Sequence, residues 1–176
     1  MSCPITAGRL LGCKSGRGGI KNIFFANYDN YEFVVSGQEV TSLGTLGVDE
    51  VFQYEVKATV NTLTETGTAS DDTGNFVNMQ SLAVTLPRMS ADLQAQVQLI
   101  CAGRPIVFVE DYNGNILVVG RTAGTSSNCT KVTGGAAADL NGFTLTITGE
   151  ESDLSPFLDS TMQTALRSFV NDNVIS

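Results

Sequence analysis

Residues 104–120 read RPIVFVEDYNGNILVVG, and two apolar runs flank Asn113-Gly114. An Asn-Gly pair between β-forming runs is the strongest short-range signal for a β-hairpin. Neither IVFVE (106–110) nor ILVVG (116–120) alternates with polar residues. Both faces of these strands are therefore expected to be covered, which places them inside a packed β core rather than on a half-wet sheet.

Working outward, Phe143, Leu145 and Ile147 alternate with Thr144, Thr146 and Thr148, the pattern of a strand with one apolar face. Residues 51–60 alternate too: Phe52, Tyr54, Val56, Ala58 and Val60 share a face, which predicts a long strand. The runs 20–25 and 31–35, joined by the polar turn 27–30, read as a hairpin. Residues 36–49 read as a loop or weak strand, and a strand is possible at 129–132. Residues 61–75, NTLTETGTASDDTGN, hold almost no large apolar group, so they read as an exposed loop or the far end of a long hairpin returned by a strand at 76–86. Ser90 as N-cap, Asp92 in the first turn, the stripe Leu93, Val97, Ile100, Cys101 and the stop at Gly103 predict a helix over about 90–102. Ser155-Pro156, followed by Leu158, Met162, Ala165, Leu166, Phe169 and Val170, predicts a second helix over about 156–171. The expected architecture is mainly β: an antiparallel β-sandwich or barrel (20–151) with one central helix, an N-terminal arm (1–19) and a C-terminal helical extension (152–176). At 176 residues one core suffices, and no repeat divides the chain.

Charge is uneven. Arg9, Lys14, Arg17 and Lys21 stand in the first 21 residues with no acid, and the total is −8, which leaves about −12 for the rest. An acidic body is a poor nucleic-acid binder, since phosphate neutralisation needs a clustered basic face. A basic arm on an acidic body suits docking onto another copy of the same chain. No apolar run reaches membrane-spanning length, and the first residues carry no sustained apolar stretch of the secretory kind.

Chemistry is narrowed by composition. The chain has no histidine, which removes His-based triads, His metal sites and the usual general base near neutral pH. Cys3, Cys13, Cys101 and Cys129 are too scattered for zinc knuckles. A Cys3–Cys13 bridge is one of three possible pairing schemes, and without a secretory signal reduced thiols are expected. SGRGGIK (15–21) lacks the Lys-Ser/Thr ending of a phosphate loop and leads into a strand. The neighbours in Asp49-Glu50, Asp71-Asp72, Glu110-Asp111 and Glu150-Glu151 point to opposite faces of an extended chain, so none is an acid–base pair by itself. A cross-strand pair of Glu110 with Glu150 remains conceivable. Asp71-Asp72 lacks the ligand spacing of a calcium loop. Cys101 has no histidine to activate it. No catalytic residue, cofactor or metal is expected.

The succession GGIKNIFFANYDN (18–30), VFQYEVKATVNTLTETGTAS (51–70), LPRMSADLQAQVQLICAGRPIVFVEDYNGNILVVGRTAG (86–124) and LNGFTLTITGEE (140–151) resembles small virion proteins of tailed bacteriophages, notably those infecting Bacteroidetes, the crAss-like phages among them. The resemblance implies a non-enzymatic tail-tube or neck-ring subunit, made in the host bacterial cytoplasm and carried in the virion. Its partners would be copies of itself in a ring and neighbouring tail or neck proteins, with DNA as non-specific cargo in an acidic lumen and no membrane. Loop 61–75 would touch the adjacent ring, and the arm and C-terminal helix would act as adaptors. The subunit-interface residues expected on this basis are Arg9, Lys14, Arg17, Lys21, Thr64, Glu65, Asp71, Asp72, Met162, Leu166 and Phe169. The alternatives are a capsid decoration or fibre-base protein, or a receptor- or carbohydrate-binding β-module.

Overall fold

The computed structural model describes residues 5–12, 14–29, 31–57 and 59–175. The Cys3–Cys13 pairing, Asn30 of the expected turn and Ala58 of the expected strand lie outside them. The fold is mainly β, with two open sheets and no closed barrel. Strands β1 (Ile20–Ala26), β2 (Val34–Ser36), β3 (Glu39–Ser42), β4 (Val51–Glu55), β7 (Ile106–Asp111), β8 (Ile116–Val119) and β11 (Phe157–Leu158) form a seven-stranded sheet in the order β2-β3-β11-β8-β7-β1-β4. Strands β5 (Thr62–Ser70), β6 (Asn75–Pro87), β9 (Ser126–Val132) and β10 (Gly142–Glu151) form a four-stranded sheet in the order β5-β6-β10-β9. Helix α1 (Ala91–Ala102) and helix α2 (Ser160–Ser168) complete it.

The hairpin of residues 104–120 forms as read. The Asp111 carboxylate accepts from the backbone N–H of Asn113 and Asn115, each at 2.8 Å, and Gly114 takes the φ of 84° that the turn requires. Burial alone would raise the pKa of Asp111, but these hydrogen bonds and those from the two Asn side chains hold it below its ordinary value.

The uninterrupted apolar runs are explained by a core on each face of the large sheet. Ile23, Phe25, Val107, Val109 and Val119 pack between the sheets with Leu82, Val84, Phe143, Leu145 and Ile147. Phe24, Ile106, Phe108, Ile116 and Val118 face the other way, onto Val40, Leu43, Leu46 and Leu166. The order is therefore four-stranded sheet, seven-stranded sheet, then a second core closed by α2, Leu43 and Leu46, to which the large sheet's own β3 contributes Val40. Helix α1 is capped as expected, the Ser90 side chain accepting from Leu93 N–H, and its Val97 and Ile100 close the inter-sheet core.

Three elements differ from the sequence reading, and a fourth decides between its alternatives. β1 does not form a hairpin with 31–35. It lies between β4 and β7, because a strand apolar on both faces is a central strand and takes a partner on each edge. Val34–Ser36 turns back instead onto Glu39–Ser42 through Gly37 at φ 65°. β4 stops at Glu55, although half-buried and exposed residues go on alternating to Lys57. The chain then crosses to the other sheet, where the Asn61 side chain donates to Lys57 C=O (2.6 Å) and accepts from Thr85 N–H (2.7 Å). Asn61 is 5% exposed, so Asn61→Ala, which orphans Thr85 N–H and leaves Lys57 C=O only the long bond from Val60 N–H, is expected to cost about 2 kcal/mol in urea unfolding.

Residues 61–75 are the far end of a long hairpin, the second of the two expected forms, and not an exposed loop. β5 and β6 pair from Thr62↔Ala83 to Ser70↔Asn75, and only the turn at 71–74 is left between them. The C-terminal helix begins at Ser160, capped by Asp159, whose side chain accepts from Met162 N–H. Ser155-Pro156 stays extended, as the residue before proline prefers, and Phe157–Leu158 is inserted as β11 between β3 and β8. What reads as an extension is thus built into the large sheet.

Candidate subunit-contact surfaces

One exposed surface is the outer face of the four-stranded sheet. Rows cross it in register: Thr85–Thr144–Thr130, Thr62–Ala83–Thr146–Asn128, Thr64–Ser81–Thr148–Ser126 and Thr66–Met79–Glu150. Nearly every position is a hydroxyl or a small side chain, and no Lys or Arg stands in these rows. The opposite side chains of the same strands turn inward, as Leu82, Val84, Leu145 and Ile147 show. Lys131 of β9 is also off this face, its Nζ donating to Gln94 of α1 at 2.7 Å. Among the described residues no strand pairs with the outer edges of β5 and β9, so the sheet ends in two open ladders.

The expected interface residues divide. Arg9 and Lys14 are exposed in the N-terminal segment, and Lys21 is exposed on β1. Arg17 is exposed but engaged: its guanidinium lies 4.0 Å from the Tyr112 ring centroid, and its backbone N–H donates to Asn113 Oδ1 at 2.9 Å. The segment is thus fastened at its base to the β7–β8 turn. Thr64 is on the free outer face. Glu65 points inward, its carboxylate accepting from Asn78 Nδ2 (2.9 Å) and Ser155 N–H (3.0 Å). Asp71 and Asp72 are exposed at the hairpin tip. Leu166 is 0% exposed, and Met162 and Phe169 pack beside it on the second core. The apolar stripe of α2 covers its own sheet, so Leu166 has no surface to offer a neighbour.

Sequence reasoning missed the lock that holds α2 down. Glu110 is 4% exposed and accepts from Asn22 Nδ2 (2.6 Å) and Arg167 Nη2 (2.9 Å). The parity of IVFVED carries the signal, since Ile106, Phe108 and Glu110 share a face. Burial raises the pKa of Glu110, but the hydrogen bonds from Asn22 and Arg167 and the charges of Arg167 and Lys21 outweigh it, and the carboxyl is held below its usual range. With the folded pKa depressed, this stabilisation is complete above the unfolded carboxylate value of about 4.3 and is lost as pH falls through the folded one. Arg167→Met should therefore cost about 2 kcal/mol at pH 7, reduced from a fully buried pair because the Arg167 side chain is 44% exposed. It should also move the acid limb of the urea-unfolding profile to higher pH, and a loss that stays constant from pH 3 to 7 would count against the assignment.

The carboxylates do not assemble into an acid–base pair. Glu110 faces α2 from the large sheet, whereas Glu150 is on the outer face of the small one. Glu151 is buried and accepts from both the N–H (2.7 Å) and the Oγ1 (2.6 Å) of Thr122. Cys101 is half-buried, and burial together with a hydrogen bond to Cys129 pushes its thiol pKa up, away from nucleophilic thiolate. Among the described residues no three His, Cys, Asp or Glu side chains cluster to hold a metal ion. No protein-family model matches the chain, and no curated protein matches it.

Proposed function

We propose that the chain is a non-enzymatic structural subunit of a tailed-phage virion, forming a tail-tube or neck ring through which DNA passes. The observation that carries this reading is the outer face of the four-stranded sheet: hydroxyl-lined, without a cation in its rows, and open at both edges. Pairing the β9 edge of one copy with the β5 edge of the next is a head-to-tail contact, which generates a ring when the rotation closes. It would join the small sheets into one continuous wall facing a lumen. Non-specific DNA affinity comes from cations that displace counterions, and a wall without Lys or Arg supplies none. The lumen on this reading is hydroxyl-lined rather than acidic, with Glu150 as the charge in its rows.

Electron microscopy of the purified protein tests this directly, with rings or tubes enclosing a lumen expected. Thr146→Lys places a cation at mid-wall. Rings of that variant should retain duplex DNA in a salt-dependent way, whereas the parent rings release it. A chain that stays monomeric at high concentration overturns the proposal. So does a Thr146→Lys chain that folds but no longer assembles, because the face would then be a buried contact and not a wall.

A further inference from the structure

The N-terminal segment exposes what a soluble chain usually hides. Ile5, Leu10 and Leu11 are 95%, 93% and 98% exposed. At the β4 edge of the large sheet the molecule has a groove that is apolar on its α1 side and polar on the other. One part, about 580 Å³, lies between Phe52–Glu55, Leu93 and Gln96 of α1, and residues 170–175. It runs into a second, about 460 Å³, which shares Phe52, Tyr54 and Gln96 and adds Leu99 and Ile100.

The backbone of β4 is open on that side. Val51 N–H donates to Phe169 C=O and Val51 C=O accepts from Asn171 N–H, so residue 51 is paired outward by the C-terminal segment. Val56 N–H donates to Lys21 C=O, which turns the even residues toward β1. By the same parity Gln53 and Glu55 point their N–H and C=O groups into the groove, where nothing among the described residues meets them. The groove therefore has a free ladder as its floor, Phe52, Tyr54 and Leu99 on the α1 side, and Glu55 and Asp172 on the other.

We propose that residues 5–12 of a second copy dock in this groove as an added β-strand. Neighbouring residues of a strand point to opposite faces. Leu10 then enters the pocket of Phe52, Tyr54 and Leu99, while Arg9 turns to the Glu55 and Asp172 carboxylates, neither of which has an ion pair among the described residues. Main-chain pairing gives affinity, and the alternating side chains give register. A second copy is the fitting donor because the chain's own Ile5, Leu10 and Leu11 stand exposed, away from the groove, whose Glu55 end lies opposite Asn22 and whose inner pocket lies at the far end of β1. The segment is fastened beside Ile20 by Arg17 on Tyr112, and the inner pocket is at Ala26–Tyr28. The contact is head-to-tail and rests on the assembly proposed above. It gives the basic segment its acidic counterpart.

The test is photocrosslinking of the full chain with benzoylphenylalanine in place of Leu10, in an equal mixture of unlabelled and ¹⁵N-labelled protein. Isotopically mixed cross-links to residues 52–55 or 93–99 are expected, and Arg9→Glu should lower their yield about tenfold by placing an acid beside two others. Cross-links within single chains, cross-links elsewhere, or none overturn the docking. Rings that form with cross-links elsewhere leave the ring reading standing. Mixed cross-links at β4 in particles without a lumen do the reverse.

Discussion

Phe108→Ala is expected to remove about 4 kcal/mol of unfolding free energy, among the largest losses from a single truncation in the second core. Phe108 is 0% exposed on β7, a strand held between β1 and β8. Its ring meets Phe33 edge-on, with centroids 6.2 Å apart and planes at 86°. Those strand partners keep β7 from closing the space, and the α2 cover is held by the Arg167–Glu110 pair, so the cavity stays open. Against a typical domain stability of about 5–15 kcal/mol this leaves a marginal fold. Urea unfolding measures it, and a loss under about 1.5 kcal/mol would show that the cover collapses onto the sheet and packs less specifically than described.

Gly142→Ala is expected to cost about 3 kcal/mol or more, though it adds one methyl group to a strand. Gly142 opposes Pro87 across the β10–β6 ladder, and a Cβ there would fall 2.2 Å from Leu86 O and 3.0 Å from Pro87 Cα. Both neighbours are backbone, so no side chain can swing aside, and β10 must lift from β6. The four-stranded sheet would open at the end where Arg88 N–H donates to Asn141 C=O. Thermal melts with amide exchange along β10 report this, and a stability change within about 1 kcal/mol would contradict it.

The parts of the fold legible in sequence are those set by local chemistry. Asn113-Gly114 and Ser90 with Gly103 act over a few residues, and the alternation of 143–148 needs only one apolar face to be right. Partner choice was not legible, because it is decided by competition among distant strands. Nothing in residues 20–35 reveals that β4 and β7 will take both edges of β1. Residues 61–75 stayed undecided between loop and hairpin because apolar content does not separate the two. An edge strand needs one inward side chain in two, and in β5 Leu63 packs against the core while Glu65 finds hydrogen bonds. Ser155-Pro156 offers the same dipeptide to a helix start and to an extended crossing, and the pairing of Phe157 with Leu117 and Glu39 decides for the latter. Of the expected contact residues, those outside the packed body keep their surface. Leu166 belongs to the body because an amphipathic stripe reads alike whether it covers its own sheet or another's.

The insertion of β11 also dictates an order of events during synthesis. The β2–β3 hairpin touches the rest of its sheet through Phe157 and Leu158, paired on one side with Glu39 and Val40 and on the other with Leu117. A hairpin made early must therefore wait, its apolar side chains uncovered, until residues more than a hundred positions later leave the ribosome. Such long-range closure slows folding and exposes the incomplete sheet to unwanted pairing. Nascent chains halted before residue 157 should be sticky, and the cell is expected to shield them with chaperones until that two-residue strand arrives.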